Sequence, residues 1–549
     1  MAVWKKSGEY TTLAELITGR YGLSIEEITS PHSEKPETIK NVPEAAELLL
    51  NAINAKMPII VIGDYDVDGI TATAILKKAI NMLGADAQTI IPRRFTDGYG
   101  ISSHLISNIF DSLIITVDNG IAAVEAVAEA KMNGNTVAII DHHLPQDILP
   151  NADLIIDPHT NPEENSFTEY CGAGLAYKIA QFIHEKNCFL NDAQMDDITV
   201  LACIGTIADV MPLIGDNRRI VLDGLEILND APRFDALSAG IREVMQLASS
   251  PYNEETIKFS IGPIMNAPGR LYDAGSSSVF KEMVNNEEST AAEYAEKMKE
   301  INEKRKLLVS NYAKQIDPYC EFQSLLPIIV LFMPNIPEGI VGILTGKIAE
   351  KYRRPAFVFT NSRSDKALYK GSGRTYGGCD LSELVNKVLP LCESGGGHAG
   401  AAGLSVSRDN FRILAATMIR FAQENNFKID TAIYYDLEIT QDKIPEICEQ
   451  QKEYMPFGEG MERPVFLVRN FTLVPNRYGD ISRKMGNNNE HIKLFGGAVS
   501  AVGFNFAEKY ADLNSPSSVD LICTIEENIY KGTSSPQLNI IDLQPAVST

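Results

Sequence analysis

Pro58-Ile59-Ile60-Val61-Ile62-Gly63-Asp64-Tyr65-Asp66-Val67-Asp68-Gly69 is the stretch whose reading decides the fold. Its apolar, β-branched first half predicts a buried strand over Pro58–Gly63, and Ile70–Leu83 beyond it carries a helical pattern. Outward from this core the alternation continues. Ala46–Ala55 reads as a helix, Gln88–Pro92 and Leu113–Val117 as strands, Ala122–Met132 as a helix and Thr136–Ile140 as a strand. Strands separated by single helices imply βαβ units and a parallel sheet, so this region is expected to be α/β. In such sheets functional residues collect at the carboxyl edge of the strands.

That edge is acidic. Three carboxylates alternate in Gly63-Asp64-Tyr65-Asp66-Val67-Asp68-Gly69, and like charges at close range raise one another's pKa unless a cation joins them. A calcium loop of the EF-hand kind also begins D-x-D-x-D-G, but its twelfth position, a Glu, is Ile75 here, and a strand rather than a helix leads in. No Gly-x-Gly-x-x-Gly or P-loop follows Gly69, which disfavours a nucleotide cofactor. Thr116-Val117-Asp118-Asn119-Gly120 and Ile139-Ile140-Asp141-His142-His143 repeat the strand-end acid, and Gly205-Thr206-Ile207-Ala208-Asp209-Val210 adds a fourth. One strand-end Asp is ordinarily a turn or helix cap. Several at one edge, with two of the chain's eight histidines side by side, suit Mn²⁺, Mg²⁺ or zinc. A pair of ions bridged by one carboxylate then implies in-line displacement at phosphorus.

The chain has 549 residues, a length that suggests three or four domains. Beyond the acidic region, Thr290-Ala-Ala-Glu293 reads as a capping box opening a long helix that Asp317-Pro318 should end near Ile316. A second α/β region follows, with strands at Pro327–Phe332 and Ala356–Thr360 around a Gly339–Tyr352 helix. After Asp430 the pattern turns to short strands at Pro464–Val468, Ala498–Phe506, Val519–Ile525 and Gln537–Ile541, which suggest a small barrel. The eight cysteines form no C-x-x-C pair and are expected to be reduced. Apolar runs fall far short of the roughly 18 residues of a membrane span, and the N-terminus lacks a secretory signal, so a cytoplasmic protein is expected. The net charge of −23 argues against an indiscriminate nucleic-acid coat, yet two windows are basic: Lys347–Arg374 at net +6 and Arg463–Lys493 at net +4.

The motifs GDYDVDG, TVDNG, IDHH and GTIADVMPL stand in the order of the four motifs of the DHH phosphoesterase superfamily. Pro92–Gly100 and Cys171–Ala176 resemble its RecJ branch, the single-strand-specific 5′→3′ DNA exonucleases. Gly371–Arg374 and Gly395–Gly403 resemble the DHHA1 domain, and Pro456–Gly460, Glu462–Phe466 and His491–Leu494 the RecJ OB domain. The resemblance implies a parallel-sheet DHH domain and a smaller α/β DHHA1 domain joined by a long helix, then an OB-type β-barrel. The expected boundaries are an N-terminal segment 1–44, DHH 45–285, connecting helix 286–317, DHHA1 318–428 and OB 429–549.

It further implies two divalent ions, Mn²⁺ or Mg²⁺, held by Asp64, Asp66, Asp68, Asp118, Asp141, His142, His143 and Asp209, with Asp118 bridging. Asp64 stands where relatives often carry His. Asp66, Asp68, Asp118, His142, His143 and Asp209 form the expected catalytic set. Arg94, Ser372, Arg374 and His398 match positions that hold substrate phosphates, Gly371 and Gly373 would let backbone amides reach the anion, and Arg270 is an expected DNA contact. One departure is Ile336-Pro337-Glu338 before Gly339, where the family usually has Trp-His. The implied activity is hydrolysis of single-stranded DNA from the 5′ end in repair and recombination. Single-stranded DNA is the implied partner, with a single-strand-binding protein and a helicase supplying it; a monomer and no membrane contact are expected. Tyr478 is a candidate stacking platform on the OB domain. The rival readings are a phosphodiesterase of short oligoribonucleotides or cyclic dinucleotides, a pyrophosphatase, and a catalytically dead replication scaffold. The OB motifs speak against the first two and the intact acids against the third.

Overall fold

The computed structural model describes residues 3–425, 427, 430–486, 488–530 and 533–546. The chain divides into two compact units, one of Ser33–Met211 with Asp216–Asp430 and one of Met1–His32, Pro212–Gly215 and Thr431–Thr549. The boundary expected at residues 428 and 429 lies outside the described residues.

In the first unit, five parallel strands stand in the order Ala87–Ile90, Ile59–Ile62, Leu113–Val117, Thr136–Ile140, Leu154–Ile156. The chain starts at Ile59–Ile62, steps outward to Ala87–Ile90, then crosses back to Leu113–Val117 on the other side. The order therefore reverses between the strands that end at Asp64 and Asp118, which makes that crevice the binding position of such a sheet. Strands and helices fall within a few residues of the expected ones. Ile59–Ile62 is buried at every position, because helices cover both faces of a parallel sheet. Val67–Met82 is buried nearly all round, with Gly172–Asn187 and Asp192–Ala208 packed on it.

The connecting helix is longer than expected. It spans Glu288–Gln323, 36 residues, with Pro318 inside it. Proline removes one backbone bond, but Ile316 and Cys320 on either side pack into the core formed by Ile329, Leu331, Leu344 and Ile348. The Gln323 side chain also pairs with both the N–H and C=O of Val330, at 2.9 and 3.1 Å. The expected capping box is absent. The helix opens at Glu287 with no side-chain cap bond, and the Thr290 hydroxyl, already one turn inside, donates to the Glu287 carbonyl at 3.1 Å. The second sheet is mixed, in the order Ser394–Gly397, Ala401–Ser407, Leu368–Arg374, Ala356–Asn361, Ile329–Phe332.

In the other unit, seven strands run Leu437–Ile439, Phe466–Thr472, Ser518–Tyr530, Thr533–Pro545, Val499–Gly503, His491–Gly496, Ser482–Met485. Val474, just past Phe466–Thr472, bridges in parallel to Gly496, and its N–H donates to the Phe495 carbonyl at 2.8 Å. That bridge closes five strands into the small barrel expected. Residues 1–44 do not form one segment. Trp4–Lys6 pairs with Ile433–Tyr435, and the Trp4 indole donates to Asp542 at 2.7 Å, whereas Val42–Asn54 packs on Gly172–Asn187 of the first unit. All eight cysteines are free, and among the described residues no helix is long and apolar enough to cross a membrane.

Glu282 gives this fold a pH dependence. Its side chain is buried, Oε1 has no partner among the described residues, and burial raises its pKa from 4.5 to about 7. The folded state thus holds a proton that the unfolded chain releases above pH 4.5, so stability falls as pH rises and the loss is complete above about 7. Thermal melts of Glu282→Gln should match wild type at pH 5 and exceed it at pH 8.5, by about 2 kcal/mol.

Candidate metal centre and anion pocket

Asp64 and Asp66 follow the Ile59–Ile62 strand. Asp66 caps Val67–Met82, its Oδ1 accepting the Gly69 N–H at 3.2 Å, so the ordinary cap role and the acidic cluster coincide in one residue. Gly69 has no room for a side chain: a Cβ would lie 2.5 Å from the Asp64 nitrogen. Asp68, in the first helical turn, accepts the N–H groups of Gly172 and Ala173 at 2.7 and 2.8 Å, and is thereby aimed by the start of Gly172–Asn187. Asp118 ends its strand in the left-handed region, φ 61°, which turns its carboxylate across the crevice. Asp209 caps the C-terminal end of Asp192–Ala208.

Three donor groups result, each with one ligand atom per residue lying within 4.8 Å of the others: Asp64, Asp66, Asp118; Asp68, His142, Asp209; and Asp118, His142, His143. Asp118 belongs to two of them. His142 Nε2 stands 3.1 Å from Asp118, 3.6 Å from Asp209 and 3.8 Å from Asp68. Both carboxylate oxygens of Asp64 are buried without any hydrogen bond among the described residues. Burial, then the neighbouring carboxylates, holds Asp64, Asp66, Asp118 and Asp209 above the usual carboxylate range. Burial also lowers His142, keeping it neutral, the state in which imidazole is a ligand. Orphaned buried oxygens, clustered acids and a neutral imidazole fit hard divalent cations of the Mn²⁺ or Mg²⁺ kind.

Asp141 does different work from that expected. It lies in none of the three groups. Its Oδ2 accepts the Ile121 N–H at 2.9 Å, and its Oδ1 accepts the His142 N–H at 2.8 Å and binds His143 Nδ1 at 2.7 Å. A carboxylate so occupied orients the His143 ring. Burial opposes charge on His143, but the Asp141 bond outweighs it and pushes the pKa to about 9. Tyr99, not singled out by the sequence reading, donates its hydroxyl to the Asp118 carbonyl at 2.9 Å and sits 3.2 Å from His143 Nε2. Its place in the Pro92–Gly100 motif was the available signal.

Beside the metal centre lies a cavity of about 380 Å³, lined by Arg94, Arg270, Ser372 and Arg374 together with Lys370, which the sequence places in the +6 window without assigning it a role. The three arginines have no carboxylate within 4 Å among the described residues. The Arg94 guanidinium stacks 3.9 Å over the ring of Tyr65, the residue between Asp64 and Asp66. Arg374 donates to Ser372 Oγ at 3.0 Å. Burial, then the charges of Arg94 and Arg305, lowers Arg270 to about 10. A cavity that crowds unpaired guanidiniums awaits an anion.

Gly371 lines the cavity and Gly373 does not. Both lie in the middle of Leu368–Arg374, with strands paired on both sides, so their backbone is engaged in the sheet. They are glycine because a Cβ would meet the Phe359 ring at 2.3 Å and the Phe357 ring at 2.4 Å. His398 lies exposed in the turn after Ser394–Gly397, outside the cavity lining, its Nδ1 accepting the Gly400 N–H at 3.1 Å. At the Pro337 departure, Gly339 packs so closely that a Cβ would lie 2.1 Å from the Arg270 carbonyl. Glu338 beside it turns its carboxylate to the Arg363 N–H at 3.0 Å.

Residues 58–206 match the DHH family, N-terminal domain, 326–424 the DHHA1 domain and 435–542 the RecJ OB domain. The single-stranded-DNA-specific exonuclease RecJ of Bacillus subtilis is 30% identical over 92% of this chain and 64% of its own length. That of Haemophilus influenzae is 29% identical over 93% and 92%. The crystal structure of RecJ from Thermus thermophilus with Mn²⁺ has a TM-score of 0.81 at 26% identity, over 97% of this chain and 76% of that one. The chain belongs to the RecJ family. The same thermophile RecJ has also been solved with Mg²⁺, at a TM-score of 0.75 and 25% identity over 97% and 75% of the two chains. This chain thus spans about two thirds of the Bacillus RecJ and nearly all of the Haemophilus RecJ.

Repulsion at the metal centre predicts its response to mutation. In metal-free buffer Asp118→Asn should melt several degrees higher than wild type, because one buried charge is gone. Mn²⁺ should raise the wild-type Tm and leave the variant nearly unmoved, which differential scanning fluorimetry would read directly.

Proposed function

We propose that this chain is a metal-dependent exonuclease that hydrolyses single-stranded DNA from its 5′ end, releasing 5′-mononucleotides. The carrying observation is the cluster of acids and imidazoles beside a guanidinium-lined cavity, linked by Tyr65, which lies between Asp64 and Asp66 and stacks on Arg94 of the cavity. A strand whose terminal phosphate sits among Arg94, Arg270, Ser372 and Arg374 would present its next phosphodiester toward Asp118. The names of the RecJ relatives support this reading, as do the DHH, DHHA1 and RecJ OB matches over most of the chain.

Asp64, Asp66 and Asp118 would hold one divalent ion and Asp68, Asp118, His142 and Asp209 the other, with His143 turned toward the second by Asp141. Such a pair supplies an acidified water at neutral pH and neutralises charge on the phosphate. The chain's own residues do the rest. Gly172 and Ala173 keep Asp68 pointed inward, and Tyr99 holds the Asp118 backbone. His143, with its Nδ1 proton on Asp141, faces the site through Nε2, where it can take up or give a proton. Arg374 and Ser372 fix the strand end, so that cleavage is exonucleolytic.

The closed barrel would hold the strand further along, with exposed Tyr478, stacked under Arg477 at 4.7 Å, as a base platform. The expected division into DHH, connecting helix, DHHA1 and OB regions stands as part of this reading. So does a monomeric cytoplasmic enzyme supplied by a helicase and a single-strand-binding protein.

Digestion of long single-stranded DNA labelled at one end tests it. With Mn²⁺, wild type should release mononucleotides from the 5′ end and spare duplex. Asp118→Ala and Asp209→Ala should lose activity at least ~10³-fold, in line with loss of a metal ligand. Release from the 3′ end, or cleavage confined to di- to pentanucleotides, would overturn the proposal.

A further inference from the structure

Arg94 is carried by the turn Arg93–Gly98, in which the N–H groups of Thr96, Asp97 and Gly98 all point at the Arg93 carbonyl, at 3.2, 2.9 and 3.3 Å. Arg93 and Asp97 pair with each other through both guanidinium and backbone. The turn is thus internally ordered, but its hold on the rest of the molecule depends on a few contacts.

One of them is made by Asp273. This residue lies in the tight turn between the helices Gly262–Leu271 and Gly275–Met283, three positions after Arg270. Its Oδ1 accepts the Phe95 N–H at 2.9 Å, and its Oδ2 accepts the Thr96 hydroxyl. A second contact comes from the lobe of the same unit that is built on the second, mixed sheet, where the Arg363 guanidinium lies 4.6 Å over the Phe95 ring. Arg363 is in turn held at its backbone by Glu338, beside the closely packed Gly339.

The electrostatics show why a restraint is required. Arg94 and Arg270 face one cavity, repel each other, and have no carboxylate partner among the described residues to hold them there. The Tyr65 ring accepts Arg94 from one side only. Without a bound anion, an unrestrained Arg94 turn would move outward and relax the repulsion. The segment that presents Arg270 is the one that ties down the Arg94 turn, so both guanidiniums are placed by one piece of chain.

We propose that Asp273, backed by Arg363 across the lobes, is a positioning residue that pre-sets Arg94 for a terminal phosphate and so sets discrimination between 5′-phosphorylated and 5′-hydroxyl strands. Asp273 touches no substrate. Its carboxylate is spent on the Phe95–Thr96 backbone and hydroxyl, and Arg363 makes the same turn sensitive to how the second lobe is seated. This inference rests on the proposed reading of the Arg94 cavity as the seat of the strand end.

The test is binding of a 3′-labelled oligodeoxynucleotide, with either a 5′-phosphate or a 5′-hydroxyl, to metal-free full-length protein by fluorescence anisotropy. Wild type should prefer the phosphorylated strand at least tenfold. Asp273→Ala should bring the two affinities within about twofold of each other while leaving that for the hydroxyl strand unchanged. Arg363→Ala, an exposed site that does not endanger folding, should lose part of the preference, and Thr96→Val, which keeps the Phe95 bond, should fall between. Asp273→Glu should recover part of the loss. If Asp273→Ala and Arg363→Ala both keep the wild-type ratio while Arg94→Ala abolishes it, the positioning role is wrong and the cavity reading stands. If wild type itself shows no preference, or Arg94→Ala leaves it intact, the cavity reading has failed instead.

Discussion

The first unit is arranged around one electrostatic problem, the convergence of Asp64, Asp66, Asp68, Asp118 and Asp209 in one crevice, where among the described residues only the His142 ring, and no lysine or arginine, pairs with them within 4 Å. Burying a charge without a partner costs several kcal/mol. The compensation among the described residues is partial: backbone N–H groups at Asp66 and Asp68, the His142 ring at Asp118 and the charge of His143 near Asp209. Neither carboxylate oxygen of Asp64 has a hydrogen-bond partner among the described residues. Divalent cations would relieve that cost, and the topology of the sheet puts the crevice where a ligand can reach them.

The same physics with the sign reversed operates a few ångströms of structure away. Arg94, Arg270 and Arg374 crowd one cavity without carboxylates, and Tyr65 joins the two halves by stacking under Arg94 while its neighbours carry the acids. One half lacks cations and the other lacks an anion. On the proposed reading a nucleic-acid strand with its metal ions would supply both, so the site's geometry must be held by other means. Those means are close packing at Gly69, Gly172 and Gly339, where any side chain would strike backbone or a carboxylate stem. They also include the clasp on the Arg94 turn.

Much of this was legible in the sequence. Strand-end acids at Asp64, Asp118 and Asp141 follow from periodicity and from the rule that parallel sheets work at their carboxyl edge, and the structure places them there. Which of them faces the cluster was not legible, because Asp141 and Asp118 occupy equivalent positions after adjacent strands. Only the left-handed turn at Asp118 and the His143 ring over Asp141 separate them. The packing role of the glycines in Gly371-Ser372-Gly373 was hidden for a related reason. A glycine next to an expected phosphate suggests an amide nest, whereas these make room for two phenylalanines from the next strand, a long-range fact invisible locally. Pro318 ended the helix in the sequence reading because local propensity was all that could be weighed, and burial of Ile316 and Cys320 outweighs it. Tyr99 and Asp273 act through hydrogen bonds to distant backbone, and no spacing rule points to them.

The most direct test of the central claim is a crystal structure of the protein soaked in Mn²⁺, with data collected at the manganese absorption edge. Two anomalous peaks should appear in the crevice, both within bonding distance of Asp118, one toward Asp64 and Asp66 and the other toward Asp68, His142 and Asp209. An empty crevice at saturating Mn²⁺, or peaks that do not share Asp118, would contradict the account.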